Sequence, residues 1–181
     1  TAELYTLEVD DQYPYWLYAG QQDNYTTISV PSLPPYSHQA GAIGLVMNTG
    51  GCETGPAVPK PGNPDIVYSN CKGRFSVYNK KTGQEQSYDV GAAYMYGHNP
   101  KELTYRFQRV SPIHVSPHDP NIIYHTSQFV HKTTDEGKTW DTGLDERGNL
   151  KRRRRTASHW THIRQHRRRH ELLTRRVEQL A

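Results

Sequence analysis

Two carboxylates in this chain, Asp23 and Glu53, are placed so that they could act as a pair. Asp23 lies in the polar run Gln21-Gln22-Asp23-Asn24, directly after the stretch YWLYAG. Glu53 lies in GGCETG, ahead of another apolar run. Glycoside hydrolysis needs one carboxyl as acid and a second as base or nucleophile. Each residue also has a plainer role: Asp23 and Asn24 are turn formers, and Glu53 can cap a loop. Gln22 and Asn24, with Tyr94 and Tyr96, are binding candidates, since amides hydrogen-bond polar ligands and aromatic faces stack on them.

Four histidines, His114, His118, His125 and His131, raise the question of a metal. Pro117 interrupts the first pair, so no helix presents them together. On alternating strands His125 and His131 would share a face, yet stand too far apart to share an ion. The expectation is surface or core histidines, with no metal and no cofactor.

These side chains need elements to hold them. Three segments share a pattern: YPYWLYAG (13–20), NPDIVYSN (63–70) and DPNIIYHT (119–126). Each has a proline and, four residues on, a tyrosine closing an apolar run; Pro14, Pro64 and Pro120 are spaced by 50 and 56 residues. A period of this size suggests an array of like units. Proline suits the start of a strand, where no N–H is yet required.

Short strand-like runs bounded by Gly, Pro, Asn and Asp surround each segment. CETGPAV, DIVYSNC, RFSVYNK and QEQSYDV form one set. RVSPIHV, NIIYHTS, QFVHKTT and KTWDTG form another. Four short antiparallel strands per repeat predict β-propeller blades, with a β-sandwich as the alternative that leaves the repeat unexplained. If Val58 faces Asp65 across the first hairpin of the second unit, Cys52 faces Cys71. Two readings stand for them: a disulfide in an oxidising compartment, or two small buried neighbours.

The stretch TTDEGKTW (133–140) fits Ser/Thr-x-Asp-x-Gly-x-Thr-Trp, the Asp-box of bacterial neuraminidase repeats. Its chemistry is structural. The Asp135 carboxylate can accept N–H groups across the turn, and Gly137 can supply a positive φ. The Thr133 and Thr139 hydroxyls can close local bonds, and Trp140 can cover the hairpin. A carboxylate spent on its own turn is not free for catalysis.

Together with PYWLYAGQQDN, GGCETGPAVPKPGNPDIVYSN and YRFQRVSPIHVSPHDPNIIYHTSQFVHKTTDEGKTW, this motif resembles the bacterial sortilin-like propeller proteins, often labelled glycosyl hydrolases. The resemblance covers about residues 1–140. It implies an extracellular or periplasmic propeller of many blades, of which this chain carries about three. It implies a module binding peptide, protein or glycan ligands, or a xyloglucanase- or sialidase-like hydrolase. Two departures stand out. Cys52 replaces an expected third glycine, and after Trp140 the chain reads DTGLDERGNLKRRRR instead of a further strand.

Charge changes at the same point. Residues 1–150 carry 11 Lys/Arg against 16 Asp/Glu, whereas residues 151–181 carry 11 Lys/Arg against two acids. All the Tyr, Gly and Pro precede residue 149. In the tail, His159, Ile163, His166, His170, Leu173, Val177 and Leu180 recur at helical spacing, though three of these seven are His. The tail admits three readings: phosphate contact with nucleic acid, attraction to an anionic membrane surface, or an out-of-frame stretch of a GC-rich gene. No run of apolar residues is long enough to span a membrane.

The expected architecture is all-β. A partial β-propeller of about three four-stranded antiparallel blades occupies residues 1–148, and a basic, helix-patterned tail occupies 149–181. Such an open array should expose apolar faces meant for missing blades, and the long excursion at 87–107 should offer a contact surface.

Overall fold

The computed structural model describes residues 3–23, 26–33, 45–91 and 97–143. The expected helical tail, together with Asn24, Tyr94 and Tyr96, lies outside the described residues. The chain separates into two compact units, Thr1–Leu144 and Asp145–Ala181, and the described residues all belong to the first.

The first unit is all-β, built from three antiparallel sheets in chain order. One sheet runs β1 (Leu4–Val9), β2 (Trp16–Gln21), β3 (Thr27–Pro31) and β4 (Met47–Asn48). The second runs β5 (Ala57–Lys60), β6 (Asn63–Cys71), β7 (Arg74–Asn79) and β8 (Gln84–Asp89). The third runs β9 (Ile113–Val115), β10 (Ile123–Thr126) and β11 (Val130–Thr133), with a lone bridge from Lys132 to Asp141 where a fourth strand was expected.

Each Pro-x-apolar-apolar-Tyr segment supplies the second strand of its sheet. Tyr18, Tyr68 and Tyr124 are each flanked by strands on both sides, opposite Glu8 and Ser29, Val58 and Val77, and His114 and Lys132. Alternation along a strand then sorts side chains onto two faces. One face carries the tyrosine and its i±2 neighbours. The other carries Leu17 and Ala19, Val67 and Ser69, or Ile123 and His125.

The sheets stack in one direction. The tyrosine face of the first sheet, with Tyr18 and Trp16, packs on Ala57, Val67 and Tyr78 from the opposite face of the second. The tyrosine face of the second, with Tyr68, Phe75, Val58, Val77 and Ile66, packs on Ile113, Val115 and Ile123 from the opposite face of the third. Strand β5 packs against β1 and β2 on one side and β9 on the other, so the first strands of the three sheets lie together. Apolar burial between sheets is the main stabilising term, since Tyr18, Val67, Tyr68, Phe75 and Ile123 are all fully buried.

Polar groups fix the same two junctions. Tyr18 donates its hydroxyl to Asp10 at 2.9 Å and accepts from Lys80 Nζ at 3.0 Å. The Lys80 ammonium also lies 4.2 Å from the Trp16 ring centroid. Burial lowers the pKa of Lys80, an effect that Asp10 and Asp65 oppose.

Three expectations need correction. Val58 pairs with Tyr68, not Asp65, because the β5–β6 register shifts by a bulge between Pro59 and Lys60. His125 and His131 are not far apart: they face each other directly across β10 and β11. The excursion at 87–107 is only partly surface. Its first residues belong to β8, and Tyr105 and Phe107 turn inward against His131 and His125, with ring centroids 4.6 and 4.9 Å apart.

Candidate functional site

Antiparallel pairing sends the start of each first strand to the same end as the finish of each second strand. Glu53 precedes β5 and Arg109 precedes β9; Gln22 and Asp23 follow β2, and Lys72 follows β6. All three sheets therefore contribute to one polar cluster. The Arg109 guanidinium donates through Nη2 to Gln22 Oε1 at 3.0 Å and to Glu53 Oε1 at 3.3 Å. Lys72 Nζ lies 3.8 Å from the same Glu53 oxygen. Gln22 in turn donates its amide to Asp23 Oδ1 at 2.8 Å.

Local structure holds each member in place. Asp23 and Lys72 both adopt positive φ, at 62° and 55°, so each ends its strand abruptly. Glu53 and Lys72 are chain neighbours of Cys52 and Cys71, which form a disulfide. Cys52 is not on a ladder. It sits in a turn closed by the Gly55 N–H on the Cys52 carbonyl at 3.1 Å. The two cysteines thus meet even though the register that suggested it is wrong.

Arg109 was not anticipated from sequence. Its carbonyl accepts the Thr54 hydroxyl at 3.3 Å and the Asn70 amide at 3.4 Å, both from buried side chains of the second sheet and its leading turn. The backbone is anchored while the side chain stays half exposed, at 53%. The only sequence signal was one arginine ahead of a strand.

Chemically, the cluster is a charged rim of two carboxylates, two cations and an amide. The two carboxylates share an end of the molecule and are linked through Gln22 and Arg109. Glu53 has both cations on one oxygen, an arrangement suited to holding Arg109 in position.

The TTDEGKTW stretch lies at the other end of the sheets. Asp135 Oδ1 accepts the Thr139 N–H at 2.9 Å and the Thr133 hydroxyl at 2.8 Å. Its Oδ2 accepts the Thr139 hydroxyl at 2.7 Å. The Thr139 hydroxyl and N–H hold the Asp135 carboxyl well down, at about 2, against a small opposing effect of burial. Gly137 has φ 93°, and a Cβ there would lie 2.6 Å from the Phe75 ring. Trp140 packs edge-on against the same ring, centroids 5.2 Å apart. This turn therefore closes on itself and also presses onto the second sheet.

The histidines do not gather ligands. His125 and His131 are fully buried among Phe75, Phe107, Tyr105 and Trp140. Among the described residues, no group of three His, Cys, Asp or Glu converges on a metal position. No helix among them is long and apolar enough to cross a membrane. Comparison with known proteins gives no match: no family model fits the chain, and no curated protein or solved structure is detectably similar to it.

Proposed function

We propose that residues 1–148 form part of a sortilin-like β-propeller, a module that binds peptide, protein or glycan ligands at the end carrying Gln22, Asp23, Glu53 and Arg109. The observation that carries this reading is the uniform stacking: at both junctions a tyrosine face meets the opposite face of the next sheet, and the first strands lie together. Blades around an axis stack in this way, and a face-to-face sandwich does not. The Asp135 turn supports it as an Asp-box clasp joining one blade to its neighbour. The Cys52–Cys71 disulfide supports an extracellular or periplasmic setting. Further blades of a longer protein would be its structural partners.

The test is a peptide and glycan array probed with the chain. Binding should fall at least tenfold in Arg109→Ala and Gln22→Ala, and persist in Gln86→Ala on the exposed strand β8. Binding indifferent to both cluster variants would overturn the assignment of the site.

A second reading is a glycosyl hydrolase of the Asp-box type. It is favoured by the shared placement of Asp23 and Glu53 at one end. Hydrolysis of aryl glycosides or xyloglucan, abolished in Asp23→Ala or Glu53→Ala, would establish it. Absence of turnover with intact ligand binding would leave the binding module alone.

A further inference from the structure

The two internal junctions follow one rule, a tyrosine face against an opposite face, and at each end of the stack one such face packs on no further sheet among the described residues. The opposite face of the first sheet carries Leu4, Leu7 and Val9 on β1, in register with Gln21, Ala19 and Leu17 on β2. Ile28 and Val30 on β3 lie on the same face but are only partly exposed, and Ala19 is buried, so the exposed part of the face is the β1 edge. Leu4, Leu7 and Val9 are 55%, 64% and 54% exposed. Three exposed apolar side chains in a row along one edge strand mark a contact site. At the other end, the tyrosine face of the third sheet carries Tyr124, His114, Lys132 and Val130, the last 58% exposed.

We infer that copies of this chain associate head to tail, the tyrosine face of the third sheet of one copy seating on the Leu4–Leu7–Val9 face of the next. Two observations select this occupant. The first is continuity: the contact repeats the pairing at both internal junctions, with Tyr124 in the position of Tyr18 and Tyr68. Sheets of the same hand of twist meet in the same way at each step. The second is charge: no Lys or Arg precedes Lys60, so Lys132 and His114 meet no like charge on the first sheet.

Such an interface is heterologous, since the two surfaces differ, and it propagates until a ring closes or an open chain grows. The inference depends on how the sheets stack, not on ligand binding at the Arg109 cluster, so either can fail without the other.

Sedimentation velocity of the full chain tests it. The wild type should form species larger than a dimer as concentration rises. Leu7→Asp and Val130→Asp, each at an exposed position, should both be monomeric, with Trp fluorescence reporting a retained fold. Val9→Lys and Val130→Lys serve if either aspartate variant unfolds. An equimolar mixture of Leu7→Asp and Val130→Asp should give a dimer and nothing larger, because each supplies the one face the other lacks. A monomeric wild type would overturn the inference and leave these faces to further blades of a longer protein. So would self-association by Val130→Asp, which indicates like-on-like pairing of the first sheet, or association that survives in both variants, which indicates the basic tail.

Discussion

The Tyr68 hydroxyl, on the second sheet, donates to Glu136 Oε1, on the turn of the third, at 3.1 Å. Lys60 Nζ reaches the same oxygen at 2.8 Å. Burial alone would raise the Glu136 carboxyl, but the Lys60 and Tyr68 hydrogen bonds outweigh it and hold it below the usual range. Burial, with Glu136 beside it, raises the pKa of Tyr68. The Tyr18–Asp10–Lys80 contact has the same composition at the preceding junction.

The ion pair is partly exposed and contributes little by itself, about 0.5 kcal/mol. The buried hydroxyl matters more. Tyr68→Phe should cost about 1 kcal/mol, and Glu136→Ala about 2, because it leaves the Tyr68 hydroxyl without its acceptor. Combining the two should cost less than their sum. Urea denaturation of both single variants and the double variant checks this, and strict additivity would show that the contact carries no stability.

Asp135 makes a prediction about acid. Its carboxyl sits at about 2 in the folded chain, against an ordinary value of 3.8. The stability it provides is therefore complete above about pH 4 and lost as pH falls through about 2. Asp135→Asn should lose about 1 kcal/mol at neutral pH through weaker acceptance from Thr139 and Thr133. Its stability should also fall less steeply than that of the wild type between pH 4 and 2, followed by thermal melting.

The strands were legible because each has local punctuation, such as Pro64 at the start of β6 or Lys80–Gly83 after β7. The Asp135 turn was legible because its bonds span only four residues. What failed was pairing set by distant or irregular contacts. A bulge beside Lys60 moves the β5–β6 register, and no local pattern marks it. The facing of His125 and His131 follows from a hairpin loop at Ser127–Phe129, which a different loop assignment would have found. Arg109 joins the site only through Thr54 and Asn70, each far away in sequence.

The histidine pair predicts a second pH effect. Burial depresses both rings to about 4 from 6.5, although the Pro112 carbonyl partly opposes this at His125. His125 Nδ1 lies 3.2 Å from that carbonyl, and His131 Nε2 lies 2.7 Å from the Ser127 hydroxyl. Above pH 6.5 neither folded nor unfolded ring is charged; as pH falls toward 4 only the unfolded rings take up protons. Stability should thus decline between 6.5 and 4 by on the order of 3 kcal/mol per ring. His131→Phe should flatten that decline, with melting followed by Trp fluorescence. An unchanged slope would place the acid sensitivity elsewhere.

The disulfide joins the fold to the candidate site. It closes a segment with a sequence separation of 19 and restricts the unfolded chain. A loop of that size corresponds to about 3 kcal/mol. Cys52 and Cys71 also set the backbone of Glu53 and Lys72, and through Glu53 the aim of Arg109. Reduction, or Cys52→Ser with Cys71→Ser, should lower the melting temperature. It should also weaken array binding by several-fold at temperatures where the chain remains folded. Loss of stability with binding unchanged would mean that Thr54 and Asn70 alone are enough to hold Arg109.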